Sequence, residues 1–204
     1  MKKITTLLAL SLLFLIAGKP AFNDGYNVGD QAADFKLKNF DGKMVALSDY
    51  KEGKGVIVIF DCNTCPYSKA YNKRIFDLHA SYAPKGYPVI TINPNDPRMS
   101  PGDSYSEIVK QAKNKNYTFP YLIDESQEVA RAFGASNTPH VYVLKKDGNT
   151  FKIAYIGAID NNSRDARSAD KKYVEDAIDS LLEGKEVPNT KTKAIGCTIK
   201  YRST

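Results

Sequence analysis

From about residue 27 onward the chain alternates between two hydrophobic periods, one of 2.0 residues and one of 3.6. Asp34-Phe35-Lys36-Leu37-Lys38 alternates polar and apolar, the pattern of a half-buried strand, and Asp41-Gly42 marks a turn. Met44-Val45-Ala46-Leu47 returns as the second arm of a hairpin. Gly55-Val56-Ile57-Val58-Ile59-Phe60 is a continuous, largely β-branched run, which predicts a central strand covered on both faces. Tyr71, Ile75, Leu78 and Tyr82 follow at helical spacing and put one apolar stripe on a helix. Pro88 to Ile92 predicts another short strand. Ser104 to Ala112 and Ser126 to Phe133 predict helices on either side of the strand Phe119-Pro120-Tyr121-Leu122-Ile123. His140 to Leu144 and Phe151 to Ile156 are two strands joined at Asp147-Gly148. Asp170 is expected to cap a last helix that buries Val174, Ala177, Ile178, Leu181 and Leu182 and stops at Gly184. Strands alternating with helices, with a terminal hairpin, make this an α/β chain with a mixed sheet covered on both sides.

The first twenty residues do not share this pattern. Met1-Lys2-Lys3 is a short positive start, and Ile4 to Ala17 is apolar apart from small hydroxyl residues. That run is short for a bilayer span, which takes roughly 20 residues, and suits the core of a signal peptide. Residues 1–21 are therefore expected to be a signal peptide, with cleavage after Ala17-Gly18 or near Ala21. The expectation is an exported protein, periplasmic or secreted, with no stable membrane span once the leader is removed. Disulfides persist in such a compartment. Residues 27–186 are expected to form one domain, and 187–204 a tail that docks on it.

Composition adds little to this and removes one class. The 204 residues are 42% hydrophobic and 25% charged, ordinary for a globular protein. The formal charge of +6 includes Lys2, Lys3 and Lys19; without them 26 basic residues face 23 acidic ones. No basic stripe with interleaved aromatics remains, so nucleic acid is not an expected partner.

The candidate chemistry lies at Cys62-Asn63-Thr64-Cys65, where the central strand gives way to a helix. On sequence alone Cys62 is expected at the helix N-terminus, where free backbone N–H groups and the macrodipole favour a thiolate. Cys65 is expected one turn in and less exposed, placed to resolve a mixed disulfide on Cys62. Pro66 suits a first turn because its missing N–H would have no partner there. A structural zinc site would need further cysteines or paired histidines. Only Cys197, His79 and His140 remain, at no ligand-like spacing, so neither a metal nor another cofactor is called for.

These residues resemble the thioredoxin superfamily and, within it, the redoxin (AhpC/TSA-related) branch. The segment from Asp34-Phe35 through Asp41-Gly42-Lys43 to Leu47-Ser48-Asp49-Tyr50 is similar to the N-terminal hairpin of that branch. Cys62-Asn63-Thr64-Cys65-Pro66-Tyr67, Asn93-Pro94-Asn95-Asp96, Thr138-Pro139, Gly157-Ala158-Ile159-Asp160-Asn161-Asn162 and Gly196-Cys197-Thr198-Ile199-Lys200 resemble the peroxiredoxin-like thioredoxin-fold family. The resemblance implies a thioredoxin fold with an added N-terminal β-hairpin and thiol–disulfide oxidoreductase activity through Cys62 and Cys65. It implies a cis Pro139 whose loop, Thr138-Pro139, binds a substrate strand. The implied partners are protein thiols or disulfides and a redox partner protein.

The resemblance also carries two alternatives. One is a peroxiredoxin-like peroxidase. In the peroxiredoxin signature P-x-x-x-T-x-x-C the cysteine aligns with Cys65, which puts Cys62 at the threonine and Val58 at the proline, so both peroxide-binding supports are missing. The other is a Sco-like copper chaperone that would recruit Cys62, Cys65 and His140. Relatives often carry histidine at the position of Thr64 and cysteine at that of Asn137, and thioredoxins hold a buried carboxylate at that of Val56. Asp61 adds a negative charge beside Cys62. Lys69, Lys73 and Arg74 are nearby cations whose reach helix phase alone does not give.

Cys197 is the odd thiol. In Cys197-Thr198-Ile199-Lys200-Tyr201 the alternation puts Cys197, Ile199 and Tyr201 on one face, which is expected to dock on the domain with a packed, reduced Cys197. An accessory role as a second resolving thiol and an intermolecular bridge are the alternatives.

Overall fold

A computed structural model describes residues 25–203; the expected signal peptide, 1–21, lies outside the described residues. In chain order the elements are β1 (Gln31–Ala32), β2 (Lys36–Asn39), β3 (Met44–Ala46), β4 (Gly55–Phe60) and α1 (Pro66–Tyr82). There follow β5 (Val89–Asn93), α2 (Tyr105–Asn114), β6 (Tyr121–Ile123), α3 (Glu128–Phe133) and β7 (Asn137–Thr138). The chain closes with β8 (His140–Asp147), β9 (Thr150–Gly157), α4 (Tyr173–Leu182) and β10 (Cys197–Thr198).

Eight strands form one mixed sheet in the order β1-β9-β8-β4-β5-β6-β2-β3. β4 pairs parallel with β5 and antiparallel with β8, so the strand that delivers the cysteine motif sits in the middle of the sheet. All six of its residues are buried, as an unbroken apolar run requires. The expected hairpin is β2 with β3, packed onto β6 at the sheet's far edge.

The pleat of β4 divides the core. Ile57 and Ile59 join Tyr71, Ile75, Leu78 and Tyr82 of α1, Ile108 and Ala112 of α2, and Val174, Ala177 and Ile178 of α4. Val56, Val58 and Phe60 face the other way, onto Phe35, Leu47, Ala130, Phe133 and Tyr142, where Ile199 of the C-terminal segment also packs. Each fully buried side chain of this size contributes roughly 1.5–3 kcal/mol relative to exposure, so the four-residue stripe of α1 suffices to hold the helix on the sheet. That seat fixes where the N-terminus of α1 lies.

The last helix starts later than expected. Lys172, not Asp170, is its N-cap, while the Asp170 carboxylate accepts from the Asn161 side chain and pins the preceding loop. Gly184, at φ +69°, ends the helix in the left-handed conformation that favours glycine.

Candidate active site

β4 ends at Phe60, and Asp61 to Cys65 cross from the sheet to α1. Pro66 is the first helical residue, and Cys65 is the N-cap, with extended backbone angles of φ −68° and ψ 126°. This corrects the sequence expectation: Cys65, not Cys62, stands at the helix N-terminus, and Cys62 lies three residues upstream of the cap. The physical reason is Pro66. It lacks the N–H an interior helical position would use, and it restrains the residue before it to extended backbone, so the helix cannot begin earlier. Both cysteines are buried, each 2% exposed, and Thr64 is the exposed member of the motif.

The Thr138–Pro139 peptide bond is cis, and Thr138 faces both motif cysteines. Its hydroxyl lies 3.1 Å from Cys62 Sγ, and its carbonyl oxygen lies 3.1 Å from Cys65 Sγ. Cys197 Sγ lies 2.6 Å from Cys65 Sγ. The two motif thiols and a third from 132 residues further along the chain thus share one site, with Cys65 at its centre.

Electrostatics separate the two motif cysteines. Donation from the Cys62 thiol holds Cys65 well below the ordinary thiol range against the effect of burial, and donation from Cys197 and from the backbone N–H of Ser68 assists. In its protonated form Cys65 instead donates to Thr138 O or Cys197 Sγ. Cys62 is pushed up because it donates to Cys65, because it is buried, and because the carboxylates of Asp61 and Asp103 stand near. The Thr138 hydroxyl offsets part of this. Burial and the neighbouring Cys65 also push Cys197 up. The two thiols share a proton, and the seat of Cys65 at the N-cap of α1, with the Ser68 N–H directed at its sulfur, favours the negative charge there.

Two carboxylates that periodicity does not mark support the motif. Asp103 is fully buried and accepts from the backbone N–H of Asn63 (2.7 Å), the Thr64 hydroxyl (2.7 Å), Asn93 Nδ2 (3.1 Å), Asn95 Nδ2 (2.9 Å) and the Ser100 hydroxyl (2.5 Å). Burial alone would raise its carboxyl pKa, but these donors outweigh burial and hold it below the usual range. Tyr121 completes the cradle by donating to Asn63 Oδ1 at 2.8 Å. Asn93-Pro94-Asn95 was legible as a motif, whereas Asp103 sits in a polar loop with no pattern to single it out. Asp61 is buried beneath Cys62, and burial pushes its carboxyl up to about 6. Its Oδ1 has no hydrogen-bond partner among the described residues. The sequence reading assigned Asp61 a negative charge and did not foresee its burial.

Two of the three nearby cations are engaged elsewhere. Arg74 pairs with Asp160 at 2.5 Å and stacks on the Tyr71 ring, Lys73 pairs with Asp77 at 2.7 Å, and Lys69 is exposed. His140 does not join the thiols: its Nδ1 lies 3.4 Å from the backbone N of Ser136, and its ring lies against Tyr142. His79 accepts from the backbone N–H of Val89. Among the described residues no group of three or more His, Cys, Asp or Glu side chains is placed to hold a metal ion. The histidine that the copper alternative requires is thus not delivered to the cysteines.

The C-terminal segment covers the site. β10 pairs antiparallel with β7, with Cys197 opposite Thr138 and Thr198 opposite Asn137. Ile199 is buried and Thr198 and Lys200 are exposed, so the alternation read from sequence is the face that docks. Gln127, buried at φ +63°, clamps the segment: its Nε2 donates to Lys200 O at 3.0 Å and its Oε1 accepts from Arg202 N at 2.8 Å.

The model of the AhpC/TSA family matches residues 28–153. The chain is 29% identical over 129 residues to the thiol-disulfide oxidoreductase ResA of Geobacillus thermodenitrificans, covering 62% of this chain and 68% of that protein. An uncharacterized conserved protein from Geobacillus kaustophilus superposes with a TM-score of 0.80 at 37% identity, covering 87% of this chain and 94% of that one. The exposed lipoprotein thioredoxin of Streptococcus pneumoniae superposes with a TM-score of 0.55 at 25% identity, over 74% of this chain and 99% of that one. The architecture is a thioredoxin fold.

Proposed function

The chain belongs to the AhpC/TSA family, and from that premise we propose that it is an exported thiol–disulfide oxidoreductase that works through the Cys62–Cys65 pair. One observation carries the reading: a Cys-x-x-Cys pair at the N-cap of α1 faces a Thr138–cis-Pro139 loop that contacts both sulfurs. Relatives named as thiol-disulfide oxidoreductases support the same chemistry.

The sequence led to Cys62 as nucleophile and Cys65 as resolving thiol; the N-cap seat of Cys65 favours the reverse order, in which the Cys65 thiolate attacks one sulfur of a substrate disulfide. A Cys65–substrate bond forms, the substrate S–S bond breaks, and the electron pair leaves on the second substrate sulfur, which takes up a proton. Cys62 then loses its proton and attacks Cys65 Sγ, which releases the remaining substrate thiol and leaves a Cys62–Cys65 disulfide. Two electrons pass to the substrate, and a redox partner protein restores the dithiol by the same steps in reverse. Asp61, buried beside Cys62, is placed to exchange the proton that Cys62 must lose. Thr138 presents backbone groups to a substrate strand. Residues 27–186 form the catalytic domain in this reading, and 187–204 form a tail that belongs to the site.

Insulin-disulfide reduction by the full chain, with dithiothreitol as electron source, tests the activity. Turnover in the wild type and in Cys197→Ser that disappears when either Cys62→Ser or Cys65→Ser is added to Cys197→Ser is expected; turnover retained in either double variant removes the dithiol mechanism. Cell fractionation with a cytoplasmic marker tests export, and co-fractionation with that marker rejects it.

A further inference from the structure

We propose that Cys197 is a third redox thiol that exchanges with the Cys62–Cys65 disulfide, so that Cys65 is the shared sulfur of two alternative bridges, Cys62–Cys65 and Cys65–Cys197. The inference rests on the oxidoreductase reading for its physiological purpose, but the bridge itself is a property of this chain that can be read separately.

Three independent features bring Cys197 to this position. Its Sγ lies 2.6 Å from Cys65 Sγ although 132 residues separate the two. The backbone on either side is in register with the cis-proline loop, with Cys197 opposite Thr138. Asn137 Nδ2 donates to Gly196 O at 3.0 Å, and Ile199 N donates to Ser136 O at 3.0 Å. The sequence is also adapted to close approach: a Cβ at residue 196 would fall 2.2 Å from Thr138 O and 2.6 Å from its carbonyl carbon, so only glycine lets the tail lie this close. The segment that carries Cys197 occupies the loop edge on which a substrate strand would pair, and its cysteine meets Cys65 as a substrate cysteine would. The tail is in effect a tethered substrate.

The exchange needs no outside oxidant. Cys197 loses its proton and attacks Cys65 Sγ of the Cys62–Cys65 disulfide. The Cys65–Cys197 bond forms as the Cys62–Cys65 bond breaks, and the electron pair leaves on Cys62 Sγ, which takes up a proton. One disulfide replaces another and Cys62 is set free as a thiol. The same attack on a mixed disulfide at Cys65 releases the bound thiol instead, so Cys197 resolves what Cys62 otherwise resolves. Tethering makes either attack far faster than attack by a free thiol at millimolar concentration.

The test uses the full chain in three forms: wild type, Cys62→Ser, and Cys62→Ser/Cys197→Ser. Each is exposed to oxidised glutathione, quenched with alkylating agent, and mapped by tryptic digestion without reduction. Cys62 and Cys65 lie on one tryptic peptide and Cys197 on another, so a bridge to Cys197 appears as a cross-linked pair. In Cys62→Ser that pair is expected to replace the glutathione adduct of Cys65. In the double variant the adduct persists, at least about a hundredfold longer. An adduct that persists equally in both variants, with wild type that reduces insulin, overturns the relay and leaves the oxidoreductase reading standing. A cross-link in Cys62→Ser from a chain whose wild type does not reduce insulin supports the relay and removes that reading instead. Circular dichroism melting of each variant identifies one that is unfolded; for such a variant the same mapping is run on wild type, where the cross-linked pair supports the relay and exclusive Cys62–Cys65 oxidation overturns it.

Discussion

The Thr64 hydroxyl donates to Asp103 Oδ2 at 2.7 Å and ties the exposed tip of the Cys-x-x-Cys turn to a carboxylate buried 39 residues further along the chain. With the backbone N–H of Asn63 on its other oxygen, Asp103 holds both residues between the cysteines, and so sets the spacing of Cys62 from Cys65.

Asp103→Ala removes the acceptor shared by five donors, four of them on buried residues, and is expected to destabilise the protein by about 3 kcal/mol at pH 7. Urea unfolding of the reduced protein measures it; a midpoint unchanged from wild type contradicts the role assigned to this carboxylate.

Asp61 opposes stability at neutral pH. Its folded-state carboxyl is raised to about 6, so the cost of ionising it is absent below about pH 4, grows between pH 4 and 6, and is constant above. Asp61→Asn is therefore expected to stabilise the fold by about 3 kcal/mol at pH 7 and by nothing at pH 3. The same variant slows insulin reduction if Asp61 exchanges the Cys62 proton. A stability gain that does not vary with pH excludes the buried ionisation.

His140 has the opposite slope. Burial holds it down to about 4, so the folded protein keeps it neutral, and its contribution is complete above pH 6.5 and lost as pH falls towards 4. His140→Asn, which retains an acceptor for Ser136 N–H, is expected to remove about 3 kcal/mol of acid destabilisation over that window. In wild type the slopes of Asp61 and His140 nearly cancel between pH 4 and 6. Unfolding curves across this range should tilt in opposite directions from wild type in the two variants; curves that stay parallel to wild type refute the assignment.

Gly196→Ala forces the tail away from Thr138, because the added methyl has no room beside the carbonyl. Alkylation of Cys197 in the reduced protein is expected to quicken on the order of tenfold or more as β10 lifts, with α1 and the sheet intact by circular dichroism. An unchanged rate contradicts the close approach.

Peroxide should be a poor substrate. Val58, buried in β4, and Cys62 occupy the positions of the peroxidatic proline and threonine, so nothing there binds or polarises a peroxide. Stopped-flow consumption of hydrogen peroxide is expected below roughly 10⁴ M⁻¹s⁻¹, the lower end for efficient enzymes. A faster rate restores the peroxidase alternative.

The sequence by itself determined what depends on near neighbours. The six-residue run of β4, the stripe Tyr71, Ile75, Leu78 and Tyr82, the β2–β3 and β8–β9 hairpins and the Gly184 stop all follow from period, turn residues and a glycine conformation. The tail's alternation around Cys197, Ile199 and Tyr201 was legible for the same reason. Only the tertiary structure decided how these pieces meet. Pro66 shifts the helix start so that Cys65 becomes the cap, a one-turn difference that periodicity does not resolve. Asp103 reaches the motif across 40 residues and Cys197 across 132, and no local pattern encodes a partner that distant. Such contacts arise because β4 and β8 are neighbours, with Phe60 opposite His140, which sets the Thr138–Pro139 loop beside the end of β4, and because burial then makes the polar groups there find a partner or shift their charge.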